Sequence, residues 1–132
     1  MNMNKSALNY YGTTNLHSGL MDATPEKLIK LLLDGSCSRL NNAIAALREG
    51  EIAKKGELIG KAISIIAYLK SILDEDAAPE FTGNLHNLYG YMESTLLSAN
   101  ISNDEEKLTE VVELLSEVRA GWDEMIKAGA GR

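Results

Sequence analysis

The chain has 132 residues, of which 45% are hydrophobic, with one Phe, one Trp and two Pro, and it carries a formal charge of −6 with a pI near 4.9. A chain of this length forms one domain that buries roughly two thirds of its unfolded surface, and its composition excludes both an aromatic-rich β fold and a disordered polymer. It has no block of Lys or Arg, which excludes a polyanionic partner, because affinity for nucleic acid rests on neutralising phosphates.

At the start, MNMNKSALNYYG lacks the apolar stretch of a signal peptide, and no later apolar run is long enough for a membrane span. The expectation is a cytoplasmic protein without membrane contact. Residues 1–22 hold Leu8, Tyr10 and Tyr11, and further on Leu16, Leu20 and Met21, but show no sustained periodicity. They read as a short flexible segment separate from the main body, placed to act as a lid over an apolar surface.

The first punctuation is DATPEKLIKLL. Thr24 is suited to cap a helix, Pro25 to its first position and Glu26 to the positive end of its dipole. Leu28, Ile29, Leu32, Leu33, Leu40, Ala43, Ile44 and Leu47 recur at three- and four-residue spacing, and Gly50 supplies the stop. Within this helix Cys37, the only cysteine, excludes an internal disulfide and reads as a small helix residue.

A second helix is predicted over 51–73. Ile52, Ile59, Ile63, Ile66 and Leu73 form one seam, while Leu58, Ile65 and Ile72 widen it to about half the circumference. That width fits either two bundle neighbours or a partner groove. The third helix opens at Pro79 and reaches Ala99, with Phe81, Leu85, Leu88, Met92 and Ala99 as its core stripe. Gly83, Asn87, Gly90 and Ser94 form a stripe of small residues on the other side, where a visiting helix backbone can approach. Asn103 or Asp104 caps the fourth helix, whose stripe is Leu108, Val111, Val112, Leu115, Val118, Trp122 and Ile126. Its Glu106, Glu110, Glu113, Glu117 and Glu124 form a solvated face.

Four helices with short joints predict an all-α fold, an antiparallel up-and-down four-helix bundle over 23–127, with 128–132 as a disordered tail.

The stretch NLHNLYGYM admits two readings. From His86, H-N-L-Y-G resembles the phospho-accepting helix of histidine phosphotransfer domains, which makes His86 the nucleophile of the alternative function. The pattern fails at Tyr89, where those domains place a Lys that balances the incoming charge. With two His, no E-x-x-H pair and no Gly-rich phosphate loop after a strand, neither a metal, a cofactor nor catalysis is indicated.

The second reading covers almost the whole chain. NYYGTTNLHSGLMDATPEKLIKLLLDG is similar to the aromatic N-terminal segment and A-[ST]-P-x-x-L-I entry of the flagellin export chaperone family FliS, here Ala23, Thr24, Pro25, Leu28 and Ile29 with a later Gly35. LKSILD resembles the end of that family's second helix. NLHNLYGYMESTLLSAN has its N-L-x-x-L-Y-x-Y-M spacing and closing Ala99 and Asn100, and LLSEVRAGW resembles its fourth helix, with Arg119 and Trp122. Val118 stands where Leu is usual, and Tyr10 and Tyr11 are both placed to be the family's N-terminal Tyr.

The resemblance implies a cytoplasmic chaperone that binds the disordered C-terminal segment of flagellin, prevents premature polymerisation and aids secretion, without cofactor or catalysis. Further partners in keeping with that role are the flagellar export apparatus, a co-chaperone and a second copy in a weak homodimer. Partner-binding residues are expected in the lid at Leu8, Tyr10 and Tyr11, and on the second helix at Leu58, Ile65 and Ile72. On the third they are expected at Asn84, Asn87, Tyr89, Gly90, Tyr91 and Asn100.

Overall fold

A computed structural model describes residues 24–73 and 79–130. The expected lid, with Leu8, Tyr10 and Tyr11, lies outside the described residues. Four helices follow in order: α1 (Pro25–Arg48), α2 (Ile52–Ser71), α3 (Pro79–Ser102) and α4 (Glu105–Ala130). Each packs on its neighbours in a ring, α1 on α2, α2 on α3, α3 on α4 and α4 back on α1. This is the four-helix bundle expected from the sequence.

The helix ends follow from local chemistry. The Thr24 hydroxyl accepts a hydrogen bond from the Lys27 N–H at 3.3 Å, with Pro25 opening α1. At the other end Gly50 takes a φ of +75°, so that the N–H groups of Gly50 and Glu51 return to the carbonyls of Leu47 and Ala46 at 3.1 and 2.8 Å. Such a left-handed close favours Gly, and it folds α2 back beside α1.

Asn103 closes α3 in the same way, with a φ of +53°, and the Asp104 N–H reaches the Ala99 carbonyl at 3.0 Å. Asp104 caps α4 by accepting from the Lys107 N–H at 3.3 Å. Of the two capping residues expected, Asn103 ends one helix and Asp104 starts the next.

Lys55, only 2% exposed, completes this corner. Its Nζ donates to the Asn100 carbonyl at 2.9 Å and to Asn103 Oδ1 at 2.5 Å. A helix leaves its last four carbonyls without internal partners and concentrates negative potential there, so an ammonium from α2 satisfies both needs of α3.

The core comprises the faces of all four helices, including Leu33 and Leu40, Ile59 and Ile66, Met92 and Leu96, and Leu108 and Leu115. Cys37 is buried among them, and burial pushes its thiol above the ordinary value. On α2 part of the wide apolar surface is taken up by its two neighbours, while Ile72 at its end stays 40% exposed. Ile65, expected on the partner face, is 2% exposed and belongs to the core, while Leu58 is half-buried against it. Gly60, Gly83 and Gly90 have open space where a Cβ would sit, so close helix packing inside the bundle does not explain them.

Three expectations are corrected. Phe81, assigned to the core stripe, is 62% exposed, because the first turn of α3 overhangs a groove at the end of the bundle. Ile52, placed in the α2 seam, is exposed because it is the first residue of its helix. The tail expected from 128 is helical to Ala130, in keeping with the helix-favouring Lys127, Ala128 and Ala130.

Candidate functional site: an apolar groove between α3 and α4

A groove of about 690 Å³ opens at the end of the bundle where α1 starts, α2 ends, α3 starts and α4 ends. Its floor includes Leu33, Leu69 and Tyr89 from the core, and its walls are Phe81, Leu85 and Leu88 of α3 and Val118, Trp122 and Met125 of α4. Ile72 and Leu73 close the α2 side and Ile29 the α1 side. The polar side chains of the lining are Thr82, Asn84 and Glu117, besides the polar tips of Tyr89 and Trp122. A cleft this apolar, with exposed Phe81, Ile72 and Met125 at its mouth, fits an apolar helix face rather than a polar metabolite.

The α4 wall is tied to α1 along the seam. Trp122 Nε1 donates to the Glu26 carbonyl at 3.0 Å, which fastens α4 over the first turn of α1. Below it, Lys30 pairs with Asp123 and Arg119 with Asp34, each at 3.2 Å, and at the far end Arg48 grips Glu105 through two bonds of 2.7 and 2.9 Å. Residue numbers fall along α1 as they rise along α4, so these contacts form one antiparallel ladder down the seam.

Tyr89 lies at the base of the α3 wall, 2% exposed, and burial pushes its phenol up to about 12. The un-ionised phenol is therefore the form that the fold favours. The stability it contributes is complete below pH 10, the ordinary value, and is lost as pH rises from 10 through about 12, because the unfolded chain ionises first. Relative to Tyr89→Phe, the wild-type chain is expected to lose roughly 1 to 1.5 kcal/mol of unfolding free energy between pH 9 and pH 11, read by urea denaturation. Equal pH slopes for the two proteins contradict this.

Of the residues expected to bind a partner, Ile72, Asn84 and Tyr89 meet in the groove. Asn87, Gly90 and Tyr91 lie on the outer side of α3, where the exposed Tyr91 hydroxyl donates to Glu110 at 2.7 Å. Asn100 sits at the opposite end under Lys55. His86 is exposed on α3, next to the groove-lining Leu85 and three residues before the buried Tyr89.

Phe81, Leu85, Leu88, Trp122 and Met125 were not anticipated in a site. All but Met125 sit on the expected core stripes, and periodicity alone does not reveal where a stripe runs past the level at which the opposing helix closes over it. Among the described residues, no helix is long and apolar enough to cross a membrane.

Comparison with known proteins adds the family. A family model described as "Flagellar protein FliS" matches residues 7–129. The chain is 44% identical over 117 residues to the flagellar secretion chaperone FliSB of Pseudomonas aeruginosa, covering 89% of this chain and 93% of the relative. It is 39% identical over 121 residues to the flagellar secretion chaperone FliS of Salmonella typhimurium, covering 91% and 90%, and 30% identical over 106 residues to that of Bacillus subtilis, covering 80% and 78%. With a match over nearly its whole length, the chain belongs to the FliS family of flagellar proteins.

Proposed function

We propose that this protein is a cytoplasmic flagellar export chaperone that holds the C-terminal segment of flagellin as an amphipathic helix, using the groove between α3 and α4 as an anchoring site. The apolar groove carries this reading, in a chain whose relatives are named flagellar secretion chaperones. A newly made subunit exposes the apolar face with which it later polymerises, and a groove that covers that face competes with premature assembly.

Titration calorimetry with a flagellin C-terminal peptide tests the proposal. The expected result is one peptide per chain, a negative heat-capacity change from apolar burial, and a gain of helix in the peptide. No binding signal up to about 50 µM, well above the micromolar range of weak specific complexes, with folded protein confirmed by circular dichroism, counts against it.

The lid follows from the same site. Residues 1–22 join α1 at the end where the groove opens, and their Leu8, Tyr10 and Tyr11 match its apolar lining. We propose that they cover it in the free protein and that flagellin displaces them, so apparent affinity is lowered by the closed fraction. Deleting residues 1–15 should tighten peptide binding several-fold and leave the melting temperature nearly unchanged. A loss of several kcal/mol of stability, as buried aromatic truncations produce, with affinity unaltered, makes these residues core instead.

A further inference from the structure

We infer that the outer face of α3 is a self-association surface, on which a second copy of this chain packs its own α3 antiparallel, about a two-fold axis at the level of Met92. The inference goes beyond the proposed function and does not use the groove, which opens on another side of the helix.

Gly83, Asn87, Gly90, Ser94, Leu97 and Ile101 recur at alternating four- and three-residue spacing, the period of a helix-pairing seam. Leu85, Met92 and Ala99 fall on the opposite side of α3 and pack with the core, so the seam points away from the bundle. Leu97 is 54% exposed and Ile101 85%. A Cβ at Gly83 or Gly90 would meet no atom within 4 Å, so the space beside both is open. Each interior glycine costs about 1 kcal/mol relative to Ala. Two large apolar side chains in water on the same face as two such glycines mark a surface that another helix covers.

The order of the residues selects the occupant. With two copies antiparallel, Ile101 of one lies against Gly83 of the other, Leu97 against Asn87, and Gly90 against Ser94 beside the axis. Large side chains meet small ones at both ends, and the centre holds only Gly and Ser, which lets the two backbones approach closely. Every contact is made twice, as an isologous interface requires. A parallel pair would instead set Ile101 against Ile101 and leave the glycines facing each other across a void.

Charge favours the same occupant. The chain carries a net −6, so two copies repel each other on their acidic faces. None of the six seam residues is charged, and the charged groups bonded to the flanks balance. Glu93 pairs with Lys70 at 2.5 Å on one side, and Glu110 meets Tyr91 and Lys107 meets Ser98 on the other, each at 2.7 Å. A pair of helices about five turns long buries an area at the low end of specific interfaces, below about 1,200 Å², so the dimer is weak, with a dissociation constant on the order of 10 to 100 µM.

Sedimentation equilibrium of the full chain over about 1 to 500 µM, a range that brackets such a constant, tests the dimer. A reversible monomer–dimer equilibrium is expected. Leu97→Glu with Ile101→Glu should raise the dissociation constant at least about a hundredfold, because a few anchors carry most of an interface's affinity. Phe81→Glu with Met125→Glu, in the groove, should leave it unchanged. Cross-linking reads the register. At 1.5 Å per residue the two copies of Asn87 lie about 15 Å apart along the axis, as do those of Leu97, beyond the roughly 7 Å reach of a disulfide, whereas Asn87 and Leu97 lie opposite each other. Asn87→Cys mixed with Leu97→Cys should therefore oxidise to a cross-linked dimer and neither should do so alone, while Cys37 is buried.

A monomer throughout the range overturns the inference, whether or not the protein binds flagellin peptide. An unshifted constant in the folded Leu97→Glu, Ile101→Glu variant overturns it too, as does cross-linking of Asn87→Cys with itself, the mark of a parallel pair. Dissociation by the groove substitutions moves the interface to the groove. A chain that dimerises only after deletion of residues 1–15 assigns the face to its own N-terminal segment, and a monomer whose peptide affinity falls on Leu97→Glu with Ile101→Glu assigns it to flagellin; these outcomes also overturn the dimer. A dimer of the expected register that binds no flagellin peptide leaves the inference standing and removes the docking reading instead.

Discussion

Replacing Phe81 and Met125 together by glutamate is expected to weaken binding of the flagellin C-terminal peptide by at least a hundredfold. Both side chains line the groove and are 62% and 50% exposed, so each can be covered by a partner. An aromatic anchor at the centre of a protein interface is typically worth about 2 kcal/mol or more on truncation. The substitution goes further, because a bound apolar face must then desolvate two carboxylates in a cleft that already holds Glu117. The same exposure predicts that the fold tolerates the change, with the melting temperature within about 3 °C of wild type, as for surface substitutions. Calorimetric titration and thermal denaturation of the double variant supply both readings. Undiminished affinity in a folded double variant removes the groove from the binding surface.

Lys55→Met should cost about 2 to 3 kcal/mol of stability, enough to lower Tm by roughly 10 °C in a domain of this size. Methionine keeps the length of the stem, so the loss reports on the ammonium rather than on packing. Without it, the Asn100 carbonyl and Asn103 Oδ1 lose a charged donor in a buried corner, and α3 ends with its negative pole uncompensated. Arg48→Ala is the instructive contrast. Its bidentate pair with Glu105 is geometrically better, and Glu105 is held below the usual carboxylate range by that bond, yet both partners are exposed. Solvent screening leaves such an exposed pair little net contribution to stability. If urea denaturation ranks Arg48→Ala as the more damaging variant, bond geometry outweighs burial at these helix ends and the expectation for Lys55 fails.

The bundle itself was legible because each helix carries both its period and its punctuation. Thr24, Pro25 and Gly50 mark the limits of α1, and the stripe from Leu108 to Trp122 marks the buried side of α4. The groove was only partly legible. Periodicity places Phe81, Leu85 and Leu88 on one stripe with Met92 and Ala99, and nothing in that spacing states that Phe81 is exposed while Met92 is enclosed. That difference depends on where the axes of α3 and α4 separate, which is a property of two helices together. Ile65 shows the converse. Its sideways position on α2 is correct on a helical wheel, but the nearness of both α1 and α3 leaves no surface there. Lys55 left no sequence signal, because a lysine near the start of a helix is ordinarily solvated, and its burial depends on the end of α3 arriving beside it.

The up-and-down path of the chain returns α4 to the side of α1, so Thr24 and Ala130 both stand at the groove end, under the ladder that ends in Trp122 and Glu26. The chain therefore enters α1 and leaves α4 beside the mouth of the groove. If the groove holds flagellin as proposed, a reporter fused directly at Thr24 or after Ala130 is expected to lower the affinity read by titration relative to the unfused chain. The turn at Glu49, Gly50 and Glu51, at the opposite pole of the bundle and exposed to solvent, is where a reporter group is best inserted.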